Sequence, residues 1–183
     1  MIETVVKSIR FNRITNNRVV LLKEVAGERY LPIWIGEFEA HAIAMELQGV
    51  ESPRPLPYDL MRTMLGELSG SIDRVVVNEL SMDVFYARVI VSVDGRTIEL
   101  DSRPSDAIAL AVRSGSPIYV DESVMDRAGV NLDDEDSPIE NDQRTSSDVE
   151  GRTEPRPDDE KLSIFRDFIN TLDSDDFDRG RGD

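Results

Sequence analysis

The sequence contains no cysteine. Disulfides, thiolate nucleophiles and cysteine-bound zinc are thereby excluded, and a reducing compartment is compatible with the composition. Histidine occurs once, at His41, and tryptophan once, at Trp34, so any imidazole-dependent mechanism has a single residue to use. No stretch approaches the roughly 18 to 20 apolar residues that a spanning helix needs. The opening residues MIETVVKSIRF alternate polar with apolar and lack the basic segment and apolar run of a secretory leader. The expectation is a soluble, cytoplasmic chain with no membrane association. The G-x-x-x-x-G-K, G-x-G-x-x-G, H-E-x-x-H and serine-elbow patterns are missing too, so nucleotide-fold, zincin and hydrolase-elbow chemistries have no support.

Positive charge is scarce. There are 21 Lys and Arg against 37 Asp and Glu, a formal net charge of -16. Between Asn131 and Asp183 lie 18 acidic and 7 basic residues, a net of -11, which leaves -5 for positions 1 to 130. At 183 residues the chain has room for one ordinary domain and an appendage. The composition places that domain at 1–130 and an acidic, disordered linker, poor in aliphatic residues, at 131–160. Leu162, Phe165, Phe168, Ile169 and Leu172 then recur at helical spacing, so 161–183 is expected to hold a tethered amphipathic helix and an acidic tail.

Within the first 130 residues the pattern is regular. Thr4 to Ile14 alternates like a strand and stops at Asn16-Asn17; Arg18 to Val25 and Arg29 to Ile35 complete a three-stranded meander. Glu37 to Gly49 reads as a helix with apolar residues on two opposite sides, Phe38, Ala42 and Met45 on one and Ala40, Ile43 and Leu47 on the other, and is expected to be buried between two layers. Three prolines in residues 51–57 make a stiff connection to a helix over Tyr58 to Leu68. Strands follow at Ile72 to Leu80, Val84 to Val93 and Arg96 to Asp101, the last two joined by the hairpin signal Asp94-Gly95. Pro104 opens a helix that Gly115 stops; a strand over Pro117 to Val120 and a short helix over Glu122 to Ala128 come last. The fold class is α+β: a mixed, largely antiparallel sheet with packed helices. With an offset of 65, Ala42-Ile43-Ala44-Met45 lies over Ala107-Ile108-Ala109-Leu110, which predicts an internal duplication of a β-β-β-α unit. That offset makes His41 and Asp106 equivalent.

Three blocks in this order, RYLPIWIGEFEAHAIAMELQGV (29–50), PRPLPYDLM (53–61) and DSRPSDAIALAVRSGSPIYV (101–120), resemble the bifunctional nuclease domain family, over about residues 4 to 130. The resemblance implies an α+β fold and the family's reported ability to degrade both DNA and RNA. Many members carry Thr-His before the Asp-Leu of the second helix. This chain has Pro57-Tyr58 there, so a histidine role at that place is not available to it.

Hydrolysis of a phosphodiester needs an activated water, donors for the extra negative charge on phosphorus and help for the leaving oxygen. Asp101 at a strand end, Arg103 in the turn and Asp106 in the first helical turn form the best cluster, because a helix start and a forked guanidinium both suit phosphate. A divalent metal such as magnesium between Asp101 and Asp106 would complete it; against this, an acid at a helix start is stabilising without any ligand. His41 is a candidate general base, and Arg54, between prolines, a candidate phosphate contact. Glu37 and Glu39 read as solvated helix-start acids and Trp34 as a core residue. The catalytic candidates are thus His41, Asp101 and Asp106, and the substrate-binding ones Arg103 and Arg54. The acidic balance argues for weak or local contact with nucleic acid. The alternative is a non-catalytic, oligomeric interaction module that recruits a protein partner through its C-terminal helix.

Overall fold

The computed structural model describes residues 1–12 and 17–131. They belong to one compact unit, Met1–Asn131. The linker and the terminal helix expected after residue 131 lie outside the described residues, as does the end of the first strand before Asn17.

In chain order the elements are β1 (Ile2–Asn12), β2 (Asn17–Glu24), β3 (Arg29–Ile35), α1 (Glu37–Leu47), α2 (Pro57–Glu67), β4 (Gly70–Ser81), β5 (Val84–Val93), β6 (Arg96–Ser102), α3 (Pro104–Ser114), β7 (Ile118–Val120), α4 (Glu122–Ala128) and β8 (Val130–Asn131). The strands form one sheet in the order β6-β5-β4-β7-β1-β2-β3-β8. Each half of the chain contributes an antiparallel meander followed by a helix. The short β7 joins them, antiparallel to β1 and parallel to β4, which makes the sheet mixed. The fold is α+β.

Register decides which side chains go inward. Val75 faces both Ile118 and Val89, and Val77 faces Val120 and Ala87, so alternation puts all six on one side of the sheet. That side carries the core, where Val20, Leu22, Leu31 and Ile33 of the other meander join Ala42, Ile43, Tyr58 and the α3 residues Ala107, Ile108 and Ala111. The alanines of α3 are buried on more than one side. Their small side chains let the helix lie close to the sheet while α1 and α2 pack against it. Burying a side chain such as Ile108 contributes about 1.5 to 3 kcal/mol.

Two expectations are corrected. Helix α1 is buried on one side only: Ala40, Ala42 and Ile43 face the protein, whereas Phe38 is 85% exposed and Leu47 is half exposed. Trp34 is not in the core but 41% exposed. Its neighbour Ile33 takes the inward position, and the two-residue period of a strand then sends Trp34 to the other face.

Candidate functional site

Helices α1, α2 and α3 each carry an acid as their third residue: Glu39, Asp59 and Asp106. An acid in the first turn complements the partial positive charge of a helix start. Here all three acids also hold an arginine, and the two arginines involved organise the helix layer.

Arg103 is the N-cap residue of α3. Its Nε donates to Asp106 Oδ2 at 2.7 Å, and its Nη2 donates to Asp106 Oδ1 at 3.0 Å and to Glu39 Oε1 at 2.7 Å. Asp106 first, and then Glu39, hold the guanidinium proton even more firmly than usual. The side chain is 67% exposed, and its Nη1 has no protein partner among the described residues. A fork fixed on one side therefore presents donors outward on the other.

Tyr58, the second residue of α2, donates its hydroxyl to Asp106 Oδ1 at 2.8 Å. Burial, followed by this hydrogen bond to a carboxylate, pushes the phenol far above its ordinary value. It therefore stays protonated and acts as a donor. The hydroxyl thus points at the acid of the neighbouring helix.

Arg113, near the end of α3, is buried. Its Nε donates to Asp59 Oδ1 at 2.8 Å and its Nη1 to Ala42 O at 2.9 Å, while the guanidinium carbon lies 5.6 Å from the centre of the Tyr58 ring. One cation thereby ties α3 to both α1 and α2. Asp59 also accepts from Leu56 N at 2.7 Å. Burial pushes the Asp59 carboxyl up, but the Leu56 N–H and Arg113 together outweigh it and hold the group below the usual range.

Of the sequence candidates, the structure brings Arg103 and Asp106 together, and adds Glu39, Tyr58, Asp59 and Arg113. It separates the others. Asp101 faces Arg88 across β6 and β5, while the adjacent Ser102 faces the buried Ala87, so alternation sends Asp101 to the side of the sheet opposite the helix layer. Both Asp106 oxygens are meanwhile engaged by Arg103 and Tyr58. The pair does not fit a metal between Asp101 and Asp106. Among the described residues no group of three or more His, Asp and Glu is arranged to hold one.

His41 is exposed and lies about 200° round α1 from Glu39 at about 100° per residue, away from the side that meets Arg103. It is the fifth residue of its helix, whereas Asp106 is the third of α3. Aligning the helix starts pairs Asp106 with Glu39 instead. Arg54 is exposed in the connection before α2, outside the cluster. The signal that could have found Glu39 was present: an acid three places after each helix cap.

This arrangement defines a class: an α+β domain whose helix starts converge on a clamped, outward-facing arginine backed by a buried phenol hydroxyl. The bifunctional nuclease domain family matches residues 20–133, and the chain belongs to that family. It is 42% identical over 175 residues to an uncharacterized protein of Mycobacterium tuberculosis strain H37Rv, covering 96% of this chain and 97% of that protein. It is 29% identical over 157 residues to Bifunctional nuclease 1 of Oryza sativa subsp. japonica, covering 84% of this chain but only 46% of the plant protein. Similarity to Bifunctional nuclease 1 of Arabidopsis thaliana is 29% over 107 residues, or 57% of this chain and 33% of that protein.

Proposed function

We propose that this chain is a nuclease that hydrolyses phosphodiester bonds of DNA and RNA. Family membership supports the reaction class, and the observation that carries the site is the outward face of Arg103. A guanidinium held at Nε and Nη2 offers its remaining N–H groups to a non-bridging phosphate oxygen without first having to be oriented. As water attacks phosphorus, negative charge grows on those oxygens, and a fixed donor stabilises that state more than the ground state. In this reading Asp106 takes the proton of the attacking water through Oδ2, which accepts from Arg103 Nε alone among the described residues and keeps a lone pair for it. The bond from phosphorus to the departing sugar oxygen breaks, and that oxygen takes a proton from solvent. Glu39 positions Arg103, and Tyr58 positions Asp106.

The test is degradation of single-stranded DNA and RNA by rigorously purified full-length protein, with and without chelator. Arg103→Ala is expected to slow the reaction about 100-fold, the usual cost of losing one transition-state donor, with the folded circular dichroism spectrum intact. His41→Ala is expected to leave the rate unchanged. Equal rates for Arg103→Ala and the unmodified chain would overturn the assignment. The chelator arm shows whether a divalent cation such as magnesium is needed, held elsewhere than between Asp101 and Asp106.

A further inference from the structure

We propose that Ser105 is a second ligand for the phosphate group that Arg103 faces, holding one non-bridging oxygen through its hydroxyl and its own N–H. The inference rests on the reading of Arg103 as a phosphate contact, but not on the hydrolysis that follows binding. Ser105 is the second residue of α3, between Pro104 and Asp106. It is only 7% exposed, yet neither its Oγ nor its N–H has a hydrogen-bond partner among the described residues. A buried hydroxyl without a partner is costly and is seldom left so. This one is not sealed in: the enclosed side-chain atoms that lack a partner among the described residues are Arg74 Nε and Asn78 Oδ1. What remains open of Ser105 therefore includes its oxygen.

Helix α4 displays what such a pair of donors does with an anionic oxygen. Ser123 is likewise second in its helix, and Asp121 Oδ1 accepts from Ser123 N at 3.0 Å and from Ser123 Oγ at 2.7 Å. The two helix caps share one backbone conformation, with φ -65° and ψ 142° at Asp121 and φ -68° and ψ 145° at Arg103. In both, the N–H of the second residue is therefore aimed alike. In α4 the cap supplies the carboxylate. In α3 the cap is an arginine, which has no side-chain acceptor, and its guanidinium turns to Asp106 and Glu39. An oxygen that completes the α3 arrangement in the same way is thus a ligand's.

The surroundings select an anion. Pro104 has no N–H, and those of Asp106 and Ala107 both bond to Arg103 O at 3.1 Å, so the free backbone donor of this turn is that of Ser105. A helix start favours negative charge, and Arg103 adds a cation beside it. The neighbouring acids already have donors: Asp106 accepts from Arg103 and Tyr58, and Glu39 from Arg103. Two donors converging on one oxygen, with a guanidinium for another, suit a tetrahedral phosphate. The narrow opening admits a single projecting oxygen.

Ser105→Ala tells a ligand from a structural hydroxyl. Removing a hydroxyl bonded within the protein lowers stability; removing one that serves a ligand does not. In phosphate-free buffer the full-length variant is expected to melt at or above the temperature of the unmodified chain. Inorganic phosphate at tens of millimolar, compared with chloride at equal ionic strength, is expected to raise the melting temperature of the unmodified chain by about 2 °C. Ser105→Ala and Arg103→Ala are each expected to lose most of that rise. With single-stranded DNA as substrate, Ser105→Ala is expected to raise KM about tenfold, the worth of a hydrogen bond to a charged group, with kcat nearly unchanged. A lower melting temperature for Ser105→Ala without phosphate overturns the proposal. So does an unmodified chain that phosphate fails to stabilise, or a variant that it stabilises fully. Phosphate binding that depends on Ser105 in a chain that leaves DNA intact overturns the nuclease reading alone. Hydrolysis that Arg103→Ala impairs and Ser105→Ala does not overturns the role of Ser105 alone.

Discussion

Asp106 accepts from Arg103 and from Tyr58, so the two residues can be separated by substitution. Tyr58→Phe keeps the ring beside Arg113 and removes only the donor to Asp106. The expected loss of stability is about 1 kcal/mol, the net worth of an ordinary hydrogen bond, read from the urea midpoint. Because the folded-state phenol titrates above the usual value near 10, its contribution is complete below about pH 10 and is lost only as the pH rises beyond that. Asp59 runs the other way. Its folded carboxyl is held below the usual value near 3.9, so its stabilisation is present above about pH 4 and is lost as the pH falls through the lower, folded-state value. In Asp59→Asn the acid limb of the stability profile, followed by urea unfolding from pH 6 to pH 2, is expected to flatten. An unchanged acid limb would remove Asp59 from this role.

At the scale of elements, Arg113 is the residue on which the helix layer converges. Breaking a buried pair leaves the other charge uncompensated and costs about 3 to 5 kcal/mol, so Arg113→Met is expected to lower the unfolding free energy by roughly that much. Since the same cation fixes both α1 and α2, the variant is also expected to loosen Glu39 and Tyr58, and nuclease rate should fall with stability. Most elements were legible in the sequence because their signals are local. Asp94-Gly95 announces a tight turn, Pro104 and Gly115 bracket α3, and the alternation from Phe85 to Val93 marks a half-buried strand. What could not be read was which side of an element would meet the rest of the protein. Phe38 and Met45 form as good a stripe on α1 as Ala40 and Ile43, and only the sheet beneath decides between them. The site was half visible. Arg103 and Asp106 are three residues apart and form a pair that the sequence itself suggests, but Tyr58 reaches Asp106 across 48 positions, and no local pattern records that contact. The alanine-rich alignment pairs His41 with Asp106, whereas the helix starts themselves differ by 67 and select Glu39.

For the whole molecule, the net charge of -16 limits how nucleic acid can be held. If contact is confined to Arg103 and one further cation, about two counterions are released on binding. The affinity should then fall only about tenfold between 50 and 200 mM salt, because the logarithmic slope scales with the number of phosphates neutralised. Fluorescence anisotropy with a labelled single strand checks this; a decline of several thousandfold would mean an extended basic track instead. The double grip on Arg103 sharpens the point. Two carboxylates around one guanidinium leave the immediate neighbourhood negative, so it exerts no long-range pull on an approaching polyanion. The fork itself, however, has already surrendered its roughly 2 kcal/mol of rotamer freedom during folding. Such a surface is expected to load without electrostatic steering, and to favour the phosphate that fits over the phosphate that is merely close.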